Sequence, residues 1–157
     1  GTKPENATDG ALDTRWSSRF QDGEWITVDL GKVYGINRVK LYWEAAYATY
    51  FDIQVSEDGV QYTNAYTDKD SRGGLQDILL PEAPVQARYV RILCHTRNTN
   101  YGSSLYEIEV YGEPVATDVD QQILNTRACM KYLSPQGQIF LVRDGKIFNA
   151  VGQSIDQ

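Results

Sequence analysis

At 157 residues, 41% of them hydrophobic and 23% charged, the chain has the composition of one folded domain plus a small appendage, and it is too short for most multi-domain enzymes. Fifteen Lys and Arg against 21 Asp and Glu give a net charge of −6, so a nucleic acid or an anionic bilayer would meet net repulsion. The 2 cysteines have no metal-type spacing and there is 1 histidine, which excludes a thiolate or imidazole metal centre. No run approaches the ~20 apolar residues of a membrane span, so no membrane insertion is expected. The opening Gly1-Thr2-Lys3-Pro4-Glu5 has no apolar signal-peptide core, which fits either a cytosolic chain or a fragment of something processed elsewhere.

Two-residue alternation dominates and helical periodicity is scarce, so the fold class is all-β. Strand-like segments follow in order at 24–30, 36–43, 50–56, 75–80, 88–94 and 105–111. They are separated by Leu30-Gly31-Lys32, Asp58-Gly59, Arg72-Gly73-Gly74 and the stretch from Pro81 to Pro84, which supply the backbone angles of turns. Short strands at this spacing predict a sandwich rather than a βαβ sheet. Trp25, between Glu24 and Ile26 in an apolar strand, reads as core, and Trp16 and Trp43 carry no assignment. After Gly112 the texture changes: residues 113–122 read as a linker, and residues 123–157 as a small C-terminal β-hairpin tail around Asp144-Gly145. Cys94 and Cys129 fit either one disulfide or, for Cys94, a buried thiol.

Catalytic motifs are missing: there is no Gly-x-Ser-x-Gly elbow, no phosphate-binding glycine loop and no His-Glu-x-x-His. His95 next to Cys94 on a strand points to the opposite face and makes no dyad. Glu107 and Glu109 share a face by the period of two, and read as a solvated strand face more readily than as a glycosidase acid pair. The segment Asn6 to Trp16 crowds acids and oxygen donors around Gly10, which suits either a hard cation taking six to eight oxygens or an ordinary capped turn.

Five motifs in order then carry a resemblance: Thr8-Asp9-Gly10-x-x-x-Thr14-x-Trp16, Trp25-Ile26-x-Val28-Asp29-Leu30-Gly31, Ser56-x-Asp58-Gly59, Arg88-Tyr89-Val90-Arg91-Ile92, and Ser104-Leu105-x-Glu107-Ile108-Glu109-Val110-Tyr111-Gly112. Over residues 4–112 the chain resembles the discoidin-like galactose-binding domains, most closely the family 32 carbohydrate-binding modules. The resemblance implies an eight-stranded jelly-roll β-sandwich over residues 1–112, with one structural Ca2+ and a sugar site on loops at one end. Carried over position by position, the ion would be held by the side chain of Asp9, the hydroxyl and carbonyl of Thr14, the carbonyls of Asn6, Ala11 and Tyr106, and Glu107.

The sugar site implied by the resemblance combines an aromatic platform with polar side chains, because pyranoses present apolar C–H faces and polar edges. Tyr47 and Tyr101 are the best stackers, and Glu44, Arg72, Arg97, Asn98 and Asn100 the hydroxyl partners. Structural alternatives stand beside them: an Arg97–Glu44 ion pair, Tyr47 packed on the sandwich, Arg72 solvating a turn. Residues 131–153 resemble the sorting-type C-terminal segments of exported Bacteroides-like proteins. The expected function is a non-catalytic, monomeric module that brings a covalently attached, exported glycoside hydrolase, hexosaminidase-like, to terminal galactose, N-acetylgalactosamine or N-acetylglucosamine. The alternative is a protein-interaction or adhesion module that docks the parent enzyme or a partner without binding sugar.

Overall fold

The computed structural model describes residues 2–115 and three further strands, Cys129–Leu133, Ile139–Arg143 and Lys146–Asn149. The chain divides into two compact units, Gly1–Val115 and Ala116–Gln157. In the first, a short 3-10 helix, Pro4–Ala7, opens with proline, whose missing N–H costs nothing at a helix start. Seven strands follow: β1 Trp16–Ser17, β2 Glu24–Trp43, β3 Ala48–Ser56, β4 Thr63–Asp68, β5 Leu75–Leu79, β6 Val85–Arg97 and β7 Ser104–Pro114.

All pairings are antiparallel, and β2 belongs to both layers of the sandwich. Its first part, Glu24 to Asp29, pairs with β6, which pairs with β3 and through it β4. Its later part, Arg38 to Tyr42, lies between β5 and β7, and β7 continues to β1. The first unit has seven strands where the resemblance implies eight, and two of the six segments read from alternation, 24–30 and 36–43, are one strand. Leu30-Gly31-Lys32 does not end it: the Gly31 amide donates to Asp29 Oδ1 at 2.8 Å, and the chain passes through an irregularity between Asp29 and Tyr34 into the other layer. The alternation missed β4, which has no fully buried position.

Alternate residues of the long strands fill the space between layers: Val39, Leu41 and Trp43 from β2, Phe51, Ile53 and Val55 from β3, and Val90, Ile92 and Cys94 from β6; β7 adds Leu105 and Ile108, three apart across a register shift against β2. Each such burial is worth about 1.5–3 kcal/mol. The Trp43 and Phe51 rings meet at 5.5 Å. Cys94 is a free thiol whose burial pushes its pKa up to about 12. Trp25 is not core, as the sequence suggested, but 52% exposed, because Glu24 and Ile26 take the inward positions and period two turns Trp25 out.

The second unit contains β8 Cys129–Leu133, β9 Ile139–Arg143 and β10 Lys146–Asn149, ordered β10-β9-β8 and antiparallel, with Lys146 opposite Arg143. Linker residues 116–122, the Asp144-Gly145 turn and the Cys129 side chain lie outside the described residues. Among the described residues no helix is long and apolar enough to cross a membrane.

Candidate sugar and ion sites

The loops at 18–23, 44–47, 69–74 and 98–103 meet at one end of the first unit because β2 runs away from that end in one layer and returns to it in the other, which brings Glu24 beside Cys94 and Trp43 beside Leu105, on either side of the 98–103 loop. Backbone hydrogen bonds tie them together. Ser18 N–H donates to Ser103 O at 2.9 Å, Glu44 N–H to Ser104 O at 3.0 Å, Ser104 N–H to Ala46 O at 2.7 Å, and Asn98 N–H to Tyr47 O at 3.0 Å. A loop set so braced can present side chains with little ordering cost on binding.

Tyr101 stands at the centre, 67% exposed, with Phe20, also 67% exposed, edge-on at 5.8 Å. Tyr101 borders two shallow clefts. One is lined by Asp22, Arg97, Asn98, Thr99 and Asn100, the other by Arg15, Ser17, Phe20, Glu44 and Ser104 among others. The arrangement offers an aromatic ridge with polar groups on both sides, the division of labour that a pyranose asks for. Sequence reasoning missed Phe20, although a large apolar residue inside the polar run Ser18-Arg19-Phe20-Gln21-Asp22-Gly23 was a readable mark of an exposed contact.

The other residues singled out from sequence divide into those free to meet a ligand and those already engaged. Glu44 faces a cleft and uses Oε2 to accept from Ala46 N–H at 2.8 Å. Arg97 pairs with Asp22 (Nε to Oδ1, 2.8 Å), not with Glu44, and its Nη1 donates to the carbonyls of Asn100 at 3.3 Å and Tyr101 at 3.1 Å. This arginine shapes the 98–103 loop. Asn98 accepts from Tyr47 N–H and donates to Ala45 O, both at 2.8 Å, which clamps two loops together. Asn100 lines the first cleft. Tyr47 is half-buried against the core, its ring lying where a Cβ on Gly73 would come to 2.5 Å, so it braces the 69–74 loop. Arg72 is exposed and paired with Asp70 at 2.8 Å.

At the proposed ion loop, Asp9 Oδ1 accepts from Ala11 N–H at 2.9 Å and Oδ2 from Thr14 Oγ1–H at 2.6 Å, and both bonds hold its carboxyl below the usual range. Asn6 donates from Nδ2 to Arg15 O at 3.1 Å within the loop, and the helix packs on β7, the strand of Tyr106 and Glu107. Glu107 is not on a solvated face: it is 6% exposed and accepts from Gly10 N–H at 2.9 Å. Burial raises its pKa, the Gly10 amide opposes this, and the charges of Asp9 and Glu109 raise it further. Among the described residues no Lys or Arg pairs with Glu107. Asp9, Thr14 and Glu107 offer oxygen atoms of the kind a hard cation takes, and among the described residues no group of three or more His, Cys, Asp or Glu is gathered in one place.

Residues 1–108 match the F5/8 type C domain family. The polysaccharide lyase 8 family protein HylA of Enterococcus faecalis is 35% identical over 113 residues, which is 68% of this chain and 8% of HylA. Chitosan-binding module 1 of a chitosanase/glucanase from Paenibacillus sp. IK-5 is 46% identical, with a TM-score of 0.68 over 71% of this chain and 86% of that one. Module 2 of the same enzyme, solved in complex with chitotriose, is 42% identical, with a TM-score of 0.66 over 71% and 88%. The family match ends at residue 108, so it lends nothing to the resemblance noted for residues 131–153. With that match over more than half its length, the chain belongs to the F5/8 type C domain family.

Proposed function

We propose that the first unit is a non-catalytic carbohydrate-binding module, and that the protein it serves is an exported glycan-degrading enzyme held by it on its substrate. The observation that carries this is the exposed Tyr101–Phe20 pair standing between two polar clefts. A sugar would stack on Tyr101 and extend its hydroxyls toward Glu44 on one side and Asn100 on the other, with Arg97 and Asn98 fixing the loops. The relatives support the same class: the Paenibacillus modules bind chitosan and chitotriose, and HylA is a polysaccharide lyase family protein.

Glu44 favours an amino sugar over galactose, because a carboxylate in the cleft accepts from an ammonium or acetamide nitrogen as well as from hydroxyls. N-acetylglucosamine and N-acetylgalactosamine remain in the proposed range. The module also takes one structural Ca2+, through Asp9, Glu107, Thr14 and the carbonyls of Asn6, Ala11 and Tyr106. The ion would offset the buried Glu107 charge and tie the first loop to β7. Titration of the full chain with chitotriose, N-acetylgalactosamine and galactose tests the sugar site. Saturable binding that disappears in Tyr101→Ala is expected; absence of binding to all three, with capture of a catalytic domain instead, would favour the docking alternative.

A further inference from the structure

Trp25 lies on the outward face of the β4-β3-β6-β2 layer, a surface the loop site does not use. In register across this face, Thr27 of β2 stands opposite Arg91 of β6, which stands opposite Gln54 of β3. In the next row Trp25 stands opposite Leu93, opposite Asp52. The Arg91 guanidinium lies 3.5 Å from the Tyr62 ring centroid and 5.4 Å from that of Trp25, and its Nε donates to Thr27 Oγ1 at 3.4 Å. Two aromatic rings and a hydroxyl thus fix the orientation of a cation.

Among the described residues, Arg19, Arg38, Arg72, Arg88 and Arg97 each pair with a carboxylate, whereas Arg15, at the loop end, and Arg91, on this face, do not. Of the two acids one row away on this face, Asp52 is engaged by His95 Nε2 at 2.7 Å and by Thr67 Oγ1 at 2.6 Å, and Asp29 by Arg88 Nε at 2.7 Å and Nη2 at 2.8 Å. What the face presents is an exposed indole next to a held guanidinium whose carboxylate partner is missing. An indole takes the C–H face of a pyranose, and a planar guanidinium takes a carboxylate through two parallel hydrogen bonds. One ligand carries both groups on one ring.

We propose that this face is a second glycan site, which binds a uronate residue of an acidic polysaccharide, stacked on Trp25 with its carboxylate on Arg91 and its hydroxyls toward Thr27 and Gln54. The site stands apart from the Tyr101 clefts and does not rest on what they bind. A single guanidinium in a chain of net charge −6 makes the binding weak and salt-sensitive.

The test is titration of the full chain with a tetrasaccharide of mannuronate and with its neutral carboxyl-reduced counterpart, read by tryptophan fluorescence. Trp16 and Trp43 are buried, so Trp25 reports local contact. The expected result is saturable change with the uronate, about tenfold weaker binding of the neutral sugar, and about tenfold loss in Arg91→Gln with partial retention in Arg91→Lys. Tyr101→Ala should leave this titration unchanged. If Arg91→Gln fails to fold, the charged-against-neutral comparison on the parent chain decides, together with Trp25→Ala followed by isothermal titration calorimetry, where loss of uronate binding is expected and unchanged binding would overturn the proposal. No saturable change with the parent chain, equal binding of the two sugars, or loss in Tyr101→Ala alone would overturn the proposal.

Discussion

Gly102→Ala tests whether the sugar site depends on two loops being pressed together. A Cβ at Gly102 would run into the Ser18 carbonyl oxygen inside van der Waals contact and come to 2.7 Å from Ser18 Oγ. The first is backbone, the second is held by donating to Arg19 O at 2.7 Å, and the same contact is stapled by Ser18 N–H to Ser103 O at 2.9 Å and Ser103 N–H to Ser18 Oγ at 3.0 Å. The chain can keep these bonds and accept overpacking at about 1–3 kcal/mol, or part the loops and lose two hydrogen bonds at about 1 kcal/mol each. Either route costs about 2 kcal/mol, which in a domain of this size lowers Tm by about 10 °C. If the loops part, Phe20 leaves Tyr101 and sugar affinity falls with the melting point. Differential scanning calorimetry beside a chitotriose titration measures both. A Tm within about 1 °C of the parent with unchanged affinity would refute the claim that this contact builds the site.

Three further outcomes follow from particular contacts. Glu107→Gln should abolish the rise in Tm with millimolar Ca2+ while leaving the metal-free Tm equal or higher, since it removes a buried charge; a Ca2+ response equal to the parent's would exclude Glu107 as a ligand. The sign for pH agrees: a carboxyl whose folded pKa is raised penalises the fold above that pKa, so in chelator this penalty fades as pH falls through it, while with Ca2+ acid weakens the ion's hold. Arg97→Ala should lower stability by about 1–3 kcal/mol as well as weaken sugar binding, because the bonds it loses hold the loop backbone; an unchanged melting curve in thermal denaturation would contradict that role. In a Cys129→Ser chain, the Cys94 thiol, with its pKa at about 12, should ignore a thiol-reactive dye at pH 8 until denaturant is added, and fast labelling of that native chain would count against its burial.

The sandwich was legible because its strands alternate: Phe51, Ile53, Val55 and Val90, Ile92, Cys94 read inward at period two, as they stand. Trp25 was misread because its neighbours are apolar, although the same period turns it outward. The continuity of β2 was not legible, since a Gly-Lys break and an irregularity inside a paired strand look alike until the partner strands are known. At the loop end, Tyr101 could be picked out because a lone Tyr among Asn, Thr and Gly has no core to join. Arg97 and Asn98 could not be sorted into ligand or brace from their types, since both roles use the same donors, and only their partners in distant segments, Asp22 and Ala45, tell them apart. The approach of Glu107 to Gly10 spans 97 positions and was reached only through the family resemblance.

The central claim, that the Tyr101 ridge is a sugar platform, is tested most directly by amide-resolved NMR of the full chain titrated with chitotriose in Ca2+. The account predicts saturable shifts concentrated at Phe20, Glu44, Ala46 and residues 98–103, and their disappearance in Tyr101→Ala. Shifts that saturate elsewhere on the sandwich, or that survive the loss of the Tyr101 ring, would contradict it.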